Sequence, residues 1–274
     1  AEVCEYIKNK YPTSTPLGYD SEANWFITMC EQYGSPYTSA TDENGSHYLF
    51  DNETNWAFVE KFASWYANGW VTTKELSGSK YTSDAFKKAD GEIGKSYMSI
   101  GSSAGATHQA PDAVNGEYPF EVGIAPIPQV DASNPKAISQ GPSVCIFQKE
   151  NAQEVYASWL FVKFLTTDVE FQASFSEASG YVPAIKNVND DEIYKEFLDS
   201  ADGFKTGIAA YSAKVCLEQA NAYYVSPAFN GSSVARDQVG LLIQKCFALE
   251  GDDVDAAIAK AFKDAVAECK YQAG

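Results

Sequence analysis

Histidine is nearly missing from this 274-residue chain, which has only His47 and His108 against 37 acidic and 20 basic residues. The six cysteines (Cys4, Cys30, Cys145, Cys216, Cys246, Cys269) form neither a CxxC pair nor a Cys/His cluster of ligand spacing, so no zinc site, metal or cofactor is expected. Positive charge is also scarce. A formal net charge of -17 and a pI near 4.4 argue against nucleic acid or an anionic membrane surface as partner, because both carry the same sign. No run approaches the roughly 18 apolar residues a membrane span needs. The opening AEVCEYIKNK carries no signal peptide pattern, and the expectation is that an address segment has been removed from the chain as given. An acidic, secreted or cell-surface protein is the expectation. Catalytic signatures are missing as well: there is no GxSxG elbow, P-loop or HExxH. Carboxylates are so abundant that a chance pair carries no glycosidase signal. No catalytic residue is assigned, and binding without chemistry is the simpler expectation.

What is present is a globular balance, 45% hydrophobic and 14% aromatic, in a chain long enough for one large or two ordinary domains. Helical spacing predicts a helix from Glu2 to Tyr11, stopped by Pro12. A second, EANWFITMCEQYG, is opened by Asp20 or Ser21 and closed by Gly34. The stretch TDENGSHYLFDNET reads as a hairpin turning at ENG, and Asn55 to Asn68 as a helix ended by Gly69. SDAFKKADGEIGKSYMSIGSSAGA supplies a short helix, a turn and a strand, while FEVGIAPIPQV and ISQGPSVCIFQKE are expected to be strands. Helices are predicted from Gln153 to Leu165, Val169 to Ala178, Asp191 to Leu198 and Thr206 to Gln219. A last pair, Ser232 to Leu249 and Val254 to Tyr271, flanks EGDD. Strands alternating with helices make an α/β protein. Cys4, Cys30 and Cys246 sit in apolar helical patterns, as buried free thiols do, although the even count also permits disulfides.

The segment Gly101-Ser-Ser-Ala-Gly105 ends a strand on small residues and hydroxyls. Two readings stand: a serine-capped turn into a helix, or a place where backbone N–H groups and hydroxyls meet an anion or a sugar hydroxyl.

At Gly141 to Lys149, Ala157 to Thr166, Gln172 to Phe175 and Gly180 to Pro183, four motifs follow in order. They are a glycine-led strand with a lysine turn, an A-x-x-F-x-K-F-L-T helix, a Q-x-x-F helix and a closing G-Y-x-P. With them the chain resembles the extracellular solute-binding proteins of ABC importers, family 1. Gly18-Tyr-Asp-Ser21 before Trp25-Phe26, the Ser102-Ser103-Ala104-Gly105 elbow and Val234-Ala-Arg236-Asp237 are similar to its carbohydrate and glycerol-3-phosphate-binding branch. The chain departs from that branch at Ala23, where a tryptophan is usual, at Gln140-Gly141 in place of a glycine pair, and at Ser226-Pro-Ala-Phe-Asn230.

The resemblance implies an α/β fold of the periplasmic-binding-protein-like type II, mostly the C-terminal lobe of a two-lobed architecture, with the chain beginning inside the second lobe. Residues 1–142 and 184–274 would form that lobe, and 143–183 an excursion that packs on the first lobe. Left uncovered, the aromatics of that excursion (Trp159, Phe161, Phe164, Phe171, Phe175) predict dimerisation or domain swapping of the isolated fragment. By implication the ligand, a sugar, oligosaccharide or glycerol phosphate, meets Ser21, Trp25, Phe26, Ser102, Ser103, Gly105, Gly141, Tyr224 and Arg236, with Tyr223 beside them. Bland readings stand next to these roles: core packing for Trp25 and Phe26, a packed loop for Tyr223-Tyr224, a solvated ion pair for Arg236 and a plain turn for Gly141. The implied partners are ABC permease subunits in the membrane, and the implied place is extracellular, as a cell-surface lipoprotein or in the periplasm. The alternative is a cell-surface carbohydrate-active enzyme or an interaction module.

Overall fold

The computed structural model describes residues 1–43, 45–249 and 253–273. Along the chain run α1 (Glu2–Lys10), β1 (Leu17–Tyr19), α2 (Glu22–Gln32), β2 (Thr38–Glu43), β3 (Ser46–Tyr48), α3 (Glu53–Ala67) and β4 (Val71–Thr73). Next come α4 (Lys74–Ser77), α5 (Ser83–Phe86), β5 (Met98–Ile100), a 3-10 turn (Ser103–Gly105), α6 (Ala106–Gln109) and β6 (Ala137–Ile138). The remainder is α7 (Ala152–Thr167), α8 (Val169–Ser179), α9 (Glu192–Asp199), α10 (Ile208–Glu218), β7 (Tyr223–Tyr224), α11 (Ser232–Phe247) and α12 (Val254–Ala273). The chain folds as two compact units, residues 1–101, 127–139 and 221–274 in one and 102–126 with 140–220 in the other.

In the first unit α2 and α3 start where side chains satisfy free N–H groups. Ser21 Oγ accepts from Asn24 N–H at 3.2 Å to open α2, and Asn52 Oδ1 accepts from Asn55 N–H at 3.0 Å to open α3. Past α3, Gly69 takes φ 68°, the left-handed conformation that glycine reaches without strain. The sheet is parallel in the order β4-β1-β5, with Tyr19 opposite both Thr73 and Ile100. The connection after β1 leads to one side of it and the connection after β4 to the other, so the carboxyl ends of the strands open at a topological switch point. Close packing fixes Gly18 in the central strand, because a Cβ there would lie 2.7 Å from Thr82 Cβ. The core lies among α2, α3, α11 and α12, where Phe26 touches Tyr37, Phe50, Phe58 and Phe262 at centroid distances of 5.6–6.2 Å. The hairpin β2–β3 forms as read, although Asn44 of its ENG turn lies outside the described residues, as do Glu250 to Asp252 of EGDD.

The second unit is built from α6–α10 around a small core of Ala173, Val188 and Tyr194. Asp168 caps α8 through Phe171 N–H at 2.9 Å, and Asp191 caps α9 through Ile193 N–H at 3.0 Å. None of the 16 residues of α7 is buried. Trp159, Phe161, Phe164 and Phe175 are exposed and Phe171 is half-buried, so the aromatic face read from the sequence is open.

Two strand expectations are corrected. Residues 120–130 form no strand: Pro126 and Pro128 lack the N–H a ladder needs, and only Val122 is buried. Of ISQGPSVCIFQKE, only Ile138 is in a strand, and residues 140–149 run irregular and mostly exposed. All six cysteines are free thiols; Cys4, Cys30, Cys246 and Cys269 are buried and Cys145 is exposed.

Candidate functional site

The carboxyl end of β1 delivers the chain into α2 through Asp20 and Ser21. Among the described residues Asp20 is held from one side only: its Oδ1 accepts from Thr82 N–H at 2.7 Å and from Thr82 Oγ1 at 2.8 Å. Thr82, 1% exposed, is tied in turn to Ser99 Oγ on β5 at 3.1 Å. Glu22, the next carboxylate, is buried, and its Oε1 accepts from Glu75 N–H at 3.2 Å to cap α4.

From Ser21 a polar stripe runs along α2, because Ser21, Asn24 and Thr28 recur at intervals of three and four residues and share one face. Asn24 joins two residues the sequence had singled out far apart. Its N–H donates to Ser21 Oγ, and its Oδ1 accepts from Arg236 Nη2, a residue of the second turn of α11. One turn further, Thr28 Oγ1 accepts from the hydroxyl of Tyr224 at 3.2 Å. Burial pushes the Tyr19 hydroxyl up to about 12 and raises Tyr224 as well, so both phenols stay protonated at neutral pH. Tyr224 lies in β7, beside Tyr223 and parallel to β6, with Tyr224 opposite Ile138. The structure therefore gathers Ser21, Tyr224 and Arg236 along α2. Asn24 and Thr28, which gather them, were not singled out from sequence; their spacing behind an N-cap serine was the available signal.

The other half of α2 corrects the ligand role expected of its aromatics. Phe26 is 0% and Trp25 5% exposed. Trp25 is surrounded by Phe58, Phe62 and Phe247 at 4.7–5.9 Å in edge-to-face contacts. Neither ring keeps a face for a ligand, and both serve the core.

The four remaining expected residues belong to the second unit. Ser102, exposed, stands at the N-cap of the 3-10 turn but its side chain makes no capping bond, so the serine-cap reading of the elbow is corrected. Ser103 and Gly105 are half-buried. The backbone there is crowded by the end of α8: a Cβ on Gly180 would meet Ser103 O at 3.0 Å, and φ 73° at Gly180 selects glycine a second time. Gly141 is exposed in the irregular segment, with open space around it. Among the described residues no group of three or more His, Cys, Asp or Glu side chains could hold a metal ion.

The family profile for bacterial extracellular solute-binding proteins matches residues 1–228. No curated protein matches the chain. Among solved structures, UgpB from Mycobacterium tuberculosis in complex with glycerophosphocholine is similar at 15% identity and a TM-score of 0.66, covering 99% of this chain and 64% of that one. The cyclic alpha-maltosyl-1,6-maltose binding protein from Arthrobacter globiformis follows at 17% and 0.64, covering 98% and 62%. Maltose-bound T. maritima MalE3 is similar at 15% and 0.60, covering 99% and 64%. These likenesses show the fold alone, and the chain spans less than two thirds of the length of those proteins. With more than half of its length matched by the family profile, the chain belongs to the bacterial extracellular solute-binding protein family.

Proposed function

We propose that the chain is the substrate-binding component of an ABC importer, a carrier rather than an enzyme. It acts outside the cytoplasmic membrane, as a periplasmic protein or a cell-surface lipoprotein. It binds a sugar, oligosaccharide or glycerol-phosphate-like ligand reversibly between two lobes and presents it to membrane permease subunits. The observation that carries this reading is the polar stripe of α2 at the carboxyl end of a parallel sheet, where Ser21, Tyr224 and Arg236 meet. Ser102, Ser103, Gly105 and Gly141, of the second unit, are likewise proposed as ligand residues, supported by the family match over residues 1–228. Glycerophosphocholine and maltose, bound by proteins of the same fold, mark the range of ligands to try.

In the same reading residues 1–142 and 184–274 form one lobe, and 143–183 packs on a first lobe. The apolar face of α7 supports this, and in the isolated chain that face drives dimerisation. Titration calorimetry of the intact protein against maltose, a maltooligosaccharide, glycerol 3-phosphate and glycerophosphocholine tests the proposal. Saturable one-to-one binding of one class is expected, weakened on the order of 10-fold or more by Arg236→Ala. Absence of binding to the whole panel rejects the proposal.

A further inference from the structure

Asp20 stands where β1 ends and α2 begins, one residue before Ser21. Both of its protein donors, Thr82 N–H and Thr82 Oγ1–H, go to a single oxygen, Oδ1. Its other oxygen, Oδ2, accepts nothing from the described residues, and the side chain is only half-buried. The clamp is rigid from behind. Thr82 is itself buried, is bonded to Ser99 on the neighbouring strand, and lies so close to the sheet that only glycine fits at position 18. A carboxylate fixed by one oxygen, with the other unengaged at a strand end, is an oriented acceptor whose reorganisation is already complete. Ser21 beside it has the complementary character. Its Oγ accepts from Asn24, and its own O–H donates to none of the described residues.

An acceptor beside a donor matches a hydroxyl, which can serve as both, whereas a phosphate group offers acceptors only. The charge points the same way, since Ser21 is bracketed by Asp20 and Glu22, and Arg236 is followed by Asp237. Resting on the binding reading above, we infer that Asp20 is a specificity-determining residue that accepts a ligand hydroxyl through Oδ2 and selects neutral polyols over phosphate-bearing ligands.

Asp20→Asn is the discriminating change. An amide keeps Oδ1 for both Thr82 donors, so the fold contact survives, but it replaces the free acceptor Oδ2 with an NH2 donor and removes the charge. Calorimetry of the intact protein, wild type and Asp20→Asn, uses maltose, a maltooligosaccharide, glycerol 3-phosphate and glycerophosphocholine as probes, with the Tm of each protein as control. The expected result is that the wild type takes a neutral sugar and that Asp20→Asn weakens it on the order of 10- to 100-fold at an unchanged Tm. Glycerol 3-phosphate, by contrast, binds the variant no worse than the wild type. Unaltered sugar affinity, an equal loss for sugar and phosphate ligands, or a wild type that prefers the phosphate ligands overturns the inference and leaves the binding reading standing. Binding of no probe by the wild type overturns both.

Discussion

Cys246 and Cys269 show how burial sets chemistry at single positions. Both thiols are in the α2–α3–α11–α12 core, and desolvation, which disfavours the thiolate, pushes each from about 9 up to about 12. Cys30 moves in the same direction. For an acid the raised value means that the folded state holds its proton more tightly than the unfolded chain. The associated stability is therefore complete below the unfolded value near 9 and is lost as pH climbs towards 12. Tyr19, raised from 10 to about 12, adds to the upper part of that window. A Tm measured at intervals from pH 8 to pH 11 is expected to hold and then fall beyond about 9. In a Cys246→Ala, Cys269→Ala protein the fall should be shallower, with Cys30 still contributing beyond about 9. A wild-type Tm that stays level to pH 11 would contradict the assignment. Among the thiols only Cys145 is exposed in the native state, so rapid labelling is expected there first.

At the scale of elements, side-chain caps mark several helix starts, and Asn52 combines its cap with two further bonds. Its Oδ1 accepts from Asn55 N–H and from Ser35 Oγ, each at 3.0 Å, while its Nδ2 donates to Leu49 O at 3.1 Å. Asn52→Ala removes all three bonds at the entry to α3 and is expected to cost about 1–2 kcal/mol in denaturant unfolding. Asn52→Asp keeps both acceptor bonds and should lose less. The same caps explain why the helices were legible in the sequence. Ser21, Asp191 and the glycines 69 and 180 mark ends by local chemistry, and the helix bounds read from them agree with the structure within a few residues. The strands were less legible because they are only two to six residues long and mostly parallel, so no alternating pattern has room to develop. The apolar run 120–130 looked like a strand by composition but lacks donors at its two prolines. The site divided along the same line. Ser21, Tyr224 and Arg236 were visible as residue types, but their meeting on α2 depends on Asn24 and Thr28, a tertiary fact that connects positions 212 residues apart. Trp25 and Phe26 failed as platforms because helical spacing marks a buried face and a ligand face alike.

For the whole molecule, two long-range properties oppose each other. A net charge of -17 repels like copies, while the exposed apolar helix α7 attracts them. Beside α7 lies a shallow groove of about 500 Å³ lined in part by Phe147, Val155, Tyr156 and Trp159, so the apolar surface is continuous rather than scattered. Charge repulsion acts over the Debye length, about 10 Å at 0.1 M salt, and weakens as salt is added, whereas burial of apolar area does not. Self-association of the isolated chain is therefore expected to grow with ionic strength, the reverse of an ion-pair interface. Sedimentation velocity across a salt series checks the direction. Phe161→Glu combined with Trp159→Glu should hold the chain monomeric throughout at an unchanged Tm, because neither side chain is part of a core. If the wild type stays monomeric at high concentration and high salt, α7 is not an associating face, and the same face would then be a weaker candidate for packing on a first lobe.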